Sequence, residues 1–331
     1  MLLINKMKLN KNIFDAKNLE LKTTREGFGD GLVELGEKNP NVVALCADLT
    51  DSTKVMPFAK KFPERFVECG IAEQNMMSVA AGLALCGKIP FVADYAVFSP
   101  GMNWSNIRVP VCQNNANVKI VGAHAGISVG PDGMSHQALE DIAITRCLPG
   151  LVVMAPCDYY ETKKMTLAAA AYNGPVYFRF AREKTPIITT PETPFKIGQA
   201  EIFKEGKDVS IIACGPLLYE ALIAANELKK HGIDAEVINN HTIKPMDVKT
   251  ICKSVGKTGA VVTVEEHQVM GGMGSAVCEA LSKNCPVPVE MIGMQDTFGE
   301  SGQPDELLEK YGMKAKHIIA AVKKVMKRKN S

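Results

Sequence analysis

Five short polar segments hold side chains suited to chemistry: Arg25, the run Asp48-Leu49-Thr50-Asp51-Ser52, the run Gly70-Ile71-Ala72-Glu73-Gln74-Asn75, the stretch from His124 to Gln137, and Arg182. Guanidinium groups bind phosphate oxygens in a bidentate fork, and imidazoles such as His124 and His136 titrate near neutrality. Carboxylates such as Asp48, Glu73 and Asp132 accept hydrogen bonds and move protons. The set suits an anionic, hydroxyl-rich ligand such as a sugar phosphate. Each residue alone also has an ordinary structural role. A lone arginine is most often a solvated surface group, and a first-turn glutamate is favoured by the helix dipole. Position decides between these readings.

The elements that must supply the positions are legible as alternating patterns. Val42 to Cys46, Ile89 to Ala93, Val118 to Gly122, Leu151 to Ala155 and Val176 to Phe180 are short apolar runs that predict buried strands. Helical periods occupy Glu73 to Cys86, Gln137 to Arg146 and Asp158 to Tyr172. Buried strands alternating with helices predict a parallel sheet covered on both faces. The polar segments follow these strands or open the first helix, and open α/β sheets bind ligands beyond the carboxyl ends of strands. The stretch 185–196, with Pro186, Pro191 and Pro194, breaks the rhythm and predicts a linker. Beyond it the rhythm restarts at Val209 to Ala213, with a helix from Gly215-Pro216 through Lys230 that places Leu218, Leu222 and Ala225 on one face. The expectation is an α/β fold of two doubly wound domains: an arm over 1–20, a first domain over 21–184, and a second over 197–331.

Composition excludes several classes. The chain has 331 residues, of which 46% are hydrophobic and 22% charged, an ordinary globular balance that argues against disorder. Its 38 basic and 36 acidic residues leave a formal charge of +2, so no nucleic-acid partner is implied. The basic tail Lys323, Lys324, Lys327, Arg328, Lys329 reads as a solvated helix end. None of the ten cysteines has CxxC spacing, and Cys46, Cys86, Cys147 and Cys214 sit in apolar runs, which predicts buried reduced thiols and a cytoplasmic location. No apolar stretch approaches the ~20 residues of a membrane span. The N-terminus alternates lysine with apolar residues, so a mobile arm is expected, with Met1 or Met7 as the start.

Order and content add specificity. Gly70-Ile71-Ala72-Glu73-Gln74-Asn75-Met76, followed by an Ala/Gly-rich helix, resembles the segment bearing the catalytic glutamate of transketolases. Gly130-Pro131-Asp132-Gly133-Met134-Ser135-His136-Gln137 resembles the family's Gly-x-Asp-Gly-x-x-His-Gln loop. Ala47-Asp48-Leu49, the aromatic run Phe91 to Phe98, and Arg182 follow in the family's order. The resemblance covers about residues 20 to 328 and points to the pyrimidine-binding and C-terminal domains of a split transketolase.

The resemblance implies roles. Glu73 would hydrogen-bond N1′ of the thiamine diphosphate aminopyrimidine, favouring the imino tautomer that takes the proton from the thiazolium carbon. Asp48, Leu49 and Ile71 would also face the cofactor, and Tyr95 and Phe98 would stack on its ring. Here Tyr95 stands for a second family phenylalanine, and Gly101 falls near a further family aromatic. Asp132 and His136 would read the donor's hydroxyls, with His136 also shuttling protons. Arg25, Ser52, His124 and Arg182 would grip the terminal phosphate. Ala125 departs from the aspartate common in full-length relatives. The diphosphate and Mg²⁺ or Ca²⁺ motif needs Gly-Asp-Gly with paired asparagines downstream. Gly29-Asp30-Gly31 lacks these and interrupts an apparent helix, so this chain holds no metal of that kind. A separate N-terminal diphosphate-binding chain is therefore implied, in a 2+2 assembly acting on sugar phosphates.

Other motifs carry less. Met270-Gly-Gly-Met-Gly274 reads as a strand-to-helix turn, since no Lys-Ser/Thr follows. Glu265-Glu266-His267 reads as structural, because neighbours on a strand face opposite ways. Competing expectations are half of a deoxyxylulose-phosphate synthase, the β chain of a 2-oxoacid dehydrogenase, and a non-catalytic regulatory chain. The two phosphate-type arginines oppose the second, and Glu73 opposes the third.

Overall fold

The computed structural model describes residues 4–15 and 17–329. Strands of the first half are β1 (Leu21–Thr23), β2 (Val42–Cys46), β3 (Phe66–Glu68), β4 (Ile89–Tyr95), β5 (Lys119–Ala123), β6 (Val152–Met154), β7 (Val176–Arg179) and β8 (Lys184–Pro186). β6, β7, β5, β4, β2 and β3 lie side by side in that order, all parallel. Every residue of β2 and β5 is buried, because both sheet faces are covered. Val43 and Leu45 pack with Met76 and Ala80 of the helix Glu73–Leu85, while Val42 and Ala44 pack with Phe28, Leu32 and Met165 on the other side.

The second half supplies β9 (Glu201–Lys204), β10 (Val209–Ala213), β11 (Ala235–Asn239), β12 (Thr242–Lys244), β13 (Val261–Gln268) and β14 (Val289–Met294). β14, β13, β10 and β11 are parallel, and β9 closes the edge antiparallel. The helix Leu218–Lys230 buries Leu218, Leu222 and Ala225 against this sheet, as its period predicts. The two α/β units expected from the pattern are present. The antiparallel edges β9 and β12 were not, because three or four residues are too few to show a period. β12 pairs with β6, so a strand from the second half completes the first sheet as its seventh.

Four expectations need correction. The helix Thr24–Lys38 runs unbroken through Gly29-Asp30-Gly31. Those glycines mark close approach: a Cβ at Gly29 would sit 2.7 Å from Lys54 O, and one at Gly31 3.0 Å from Thr166 Cβ. The helix expected from Gln137 starts only at Asp141. Gln137 instead donates through Nε2 to the carbonyls of Ile127 and Glu300, which holds 133–140 as a loop. The segment expected to be a mobile arm is docked over its described residues. Leu9 and Ile13 are buried in the second-half core, and Asn10 donates to Ile188 O at 2.9 Å. Met1 lies outside the described residues. Cys46 and Cys214 are buried, but Cys86 and Cys147 are exposed at helix ends.

The proline-rich stretch after β7 is pinned down. β8 pairs antiparallel with β1, and Asp158 accepts from Ile188 N, Thr189 N and Thr189 Oγ1 at 2.6–2.8 Å. No helix among the described residues is long and apolar enough to cross a membrane.

Candidate active site

The polar segments converge at the carboxyl edge of the first sheet. Thr23 caps the first helix in a reciprocal box with Glu26, which fixes Arg25 in the first turn. Arg25 Nη1 donates to Ser52 O at 3.1 Å and lies 3.5 Å from His124 Nε2. Ser52 thus meets Arg25 through its backbone rather than its hydroxyl. His124 follows β5 in the left-handed region, at φ 52°. Its ring stacks on Tyr95, with centroids 4.1 Å apart and planes 22° apart. Phe98 lies 6.0 Å from Tyr95 and nearly parallel to it. His136 stands edge-on to both, at 6.0 and 5.7 Å. The segments that follow β4 and β5 therefore bring four of the expected residues into one cluster.

Electrostatics divide the two histidines. Burial pushes the His124 pKa down to about 3, and the nearby charges of Arg25, Arg182 and His136 push the same way. A neutral imidazole at this point offers hydrogen bonds, and its Nδ1 has no partner among the described residues. His136 is less buried, and its Nδ1 lies 3.0 Å from Ser135 Oγ. Arg182 Nη1 donates to Val129 O at 2.9 Å and lies 3.6 Å from the Asp132 carboxylate. Asp132 and Arg182, expected to serve hydroxyls and phosphate separately, thus form one ion pair.

Glu73 is the first residue of its helix and only 7% exposed. Its carboxylate makes no hydrogen bond or ion pair among the described residues. Its backbone is held instead: Asn103 Nδ2 donates to Glu73 O at 3.2 Å, and Gln74 Nε2 to Met102 O at 3.2 Å. A fixed backbone with a free carboxylate is an acceptor waiting for a donor. Asp48, at φ 61°, is held by Glu68, whose Oε1 accepts from Asp48 N at 2.8 Å and Gly70 N at 3.1 Å. Leu49 is half-buried, and Ile71 is 80% exposed. A Cβ at Gly101 would sit 1.9 Å from Val97 O, so no aromatic side chain fits there. In kind these residues fit a flat heteroaromatic ring: an unpartnered acceptor at Glu73, and half-buried aromatic faces at Tyr95 and Phe98.

Three carboxylates support the site: Asp94 and Glu68 escaped the sequence reading, while Glu266 was read there as structural. Asp94 is fully buried in β4; its Oδ1 accepts from Tyr95 N at 2.7 Å, and Oδ2 has no partner among the described residues. Burial raises its pKa to about 8, with the charges of Glu73 and Glu68 adding to the effect. A lone aspartate inside Phe91 to Phe98 was the available signal. Glu68 gave none, since the three residues of β3 show no period. Glu266 reaches across from β13 and accepts from Ser128 N at 2.5 Å. A Cβ at Gly126, φ 94°, would meet that carboxylate at 2.5 Å, so glycine lets the loop after β5 lie on the second half. Glu265 beside it accepts from Met273 N and Gly274 N at the start of the helix Met273–Asn284, the structural role expected.

Residues 21–187 match the family described as transketolase, pyrimidine binding domain, and residues 198–318 match transketolase, C-terminal domain. The chain is 47% identical to a putative transketolase C-terminal section of Methanocaldococcus jannaschii, over 93% of this chain and 97% of that one. It is 42% identical to a 6-deoxy-6-sulfo-D-fructose transketolase subunit of a Clostridium species, over 96% and 98%. A solved split-gene transketolase, an inactive β4 tetramer, superposes with a TM-score of 0.87 at 48% identity, over 93% of this chain and 99% of that one.

Proposed function

The chain belongs to the transketolase family as the C-terminal section of a split enzyme, and on that premise we propose that it transfers a two-carbon ketol unit from a ketose phosphate to an aldose phosphate. The observation that supports the proposal is the cluster of Arg25 and Arg182 about His124, with unpartnered Glu73 opening the helix that follows β3 in the same sheet. Thiamine diphosphate, on which the family depends, supplies the electron sink when bound. Glu73 accepts a hydrogen bond from its pyrimidine ring and holds that proton. Tyr95 and Phe98 orient the ring, with Asp48, Leu49 and Ile71 around it. Asp132 and His136 bind the hydroxyls beside the reacting carbonyl, and His136 passes protons there. Arg25, Ser52 and Arg182 hold the terminal anion, and neutral His124 donates to it without adding charge.

A separate diphosphate-binding chain completes the site and brings Mg²⁺ or Ca²⁺ with it. Exposed Ile71 and Met102 flank Glu73, beside a helix face formed by Asn75, Ser78, Val79 and Gly82. Such an apolar and small-residue edge suits a covering protein surface. The inactivity named for the solved β4 tetramer supports the same view, and the assembly in this reading is 2+2. All ten cysteines are free, which suits a reducing cytoplasm.

The arginines give the test. Each lost charge-assisted bond costs about 1.5–3 kcal/mol, or roughly tenfold to a hundredfold in kcat/KM. Arg25→Ala and Arg182→Ala, assayed with the partner chain, should lose this much with phosphorylated donors and little with hydroxypyruvate, which is too short to reach them. Equal loss with both donors would assign the arginines to structure. The Clostridium relative's name specifies a sulfonated sugar. A sulfonate is a monoanion, so the same pair of variants should lose less with such a donor than with a phosphate.

A further inference from the structure

Where the two halves of the chain join, three side chains of metal-ligand type converge out of solvent. Glu161 lies on the helix Tyr159–Ala171 of the first half, Glu201 opens β9, and His241 stands just before β12. They are 2%, 8% and 0% exposed. One carboxylate oxygen of each glutamate and a ring nitrogen of His241 lie within 4.8 Å of one another, the only triple so placed among the described residues.

The polar atoms around this point are not satisfied. His241 Nε2, Glu201 Oε2 and Asn239 Oδ1 have no hydrogen-bond partner among the described residues. Elsewhere in the same region bonds are made: Glu161 accepts from Cys157 N at 2.7 Å and from Asn239 Nδ2 at 2.6 Å. His241 Nδ1 lies 2.9 Å from Thr242 Oγ1, which leaves Nε2 as its open position. The ammonium of Lys164 is turned to the carbonyls of Thr190 and Thr193, and bonds neither glutamate. Folded proteins rarely leave so many buried polar atoms unpaired in one place, since each forfeits its hydration.

We propose that Glu161, Glu201 and His241 bind a zinc-class divalent cation that clamps the two halves of the chain together. An imidazole with two carboxylates is a donor set for such an ion, and an oxygen-only set would be expected for Mg²⁺ or Ca²⁺. Two carboxylates cancel the +2 charge, which a water-poor site requires. Bonds of about 2.1 Å in a tetrahedron put donors roughly 3.4 Å apart, so the long glutamate side chains close in by about an ångström. A water takes the fourth position. The site is independent of the ketol-transfer reading, because no residue of the catalytic edge enters it.

The test uses the full chain stripped of metal by chelator, then dialysed against Zn²⁺ or Mg²⁺. The wild type should retain about one Zn²⁺ per chain after gel filtration and melt at a higher temperature with Zn²⁺ than with Mg²⁺. The variant Glu201→Gln/His241→Gln keeps all ten cysteines, so thiol-bound zinc is the same in both proteins. That variant should lose the stoichiometric ion and the thermal shift. Glu161→Gln alone should weaken binding by more than the roughly 10–100-fold that an outer-shell change costs. Equal zinc in wild type and double variant, or a wild-type melting temperature indifferent to Zn²⁺, would overturn the proposal and leave the atoms bridged by water. Should the double variant not fold, the wild-type comparison of Zn²⁺ with Mg²⁺ decides alone.

Discussion

Two carboxyls near the mouth, Glu73 and Asp94, show how surroundings divide the work of one chemical group. Glu73 opens its helix only 7% exposed, with its carboxylate unpartnered among the described residues. Asp94 lies one shell behind, fully buried and with its pKa raised to about 8 by burial. At neutral pH it therefore carries a proton, and this has a cost in stability with a definite sign. An unfolded aspartate ionises near 3.8, while the folded one stays protonated to about 8. The unfolded state thus binds fewer protons between those values, and stability falls as pH rises through that window, by at most about 1.4 kcal/mol per pH unit. Asp94→Asn keeps the shape of the protonated acid and removes the titration. In denaturant melts of the chain, the variant should match wild type near pH 4 and exceed it increasingly toward pH 8. Parallel curves across that range would show that Asp94 is ionised in the folded protein.

At the scale of elements, the site depends on close packing that glycines permit. The first helix, which carries Arg25, lies against the helix Tyr159–Ala171 with a Gly27 Cβ position only 2.2 Å from Tyr159 O. Backbone cannot yield as a side-chain tip can, so Gly27→Ala should cost about 1–3 kcal/mol as an overpacked contact. A melting temperature equal to wild type would mean that the helices separate easily. These contacts also explain what the sequence could not tell. Gly29-Asp30-Gly31 looks like a helix break, because the cost of glycine is local while its benefit lies in Lys54 and Thr166, distant along the chain. The apolar runs of β2, β4, β5, β7 and β10 were legible because burial on both faces leaves a continuous signal. β3, β9 and β12 were not, being held by neighbours rather than by pattern. The residues of the candidate site were legible as types and order. Asp94 and Glu68 were missed, since each acts through a fold contact rather than a motif, and Glu266 was legible only as structural.

The molecule as a whole is, on the proposed reading, half of an active site. On that reading Glu73, Tyr95 and Phe98 would hold one end of the cofactor, and Gly29-Asp30-Gly31 offers no loop for its diphosphate, since it lies inside the helix Thr24–Lys38 with both glycines buried. The apolar edge at Ile71 and Met102 lies where a second chain would close the site. The most direct measurement is ketol transfer from a ketose phosphate to an aldose phosphate by the purified chain with thiamine diphosphate and Mg²⁺, first alone and then with a chain bearing the diphosphate motif. No transfer alone and robust transfer on mixing is the expected result. Robust transfer by the lone chain would contradict the split site.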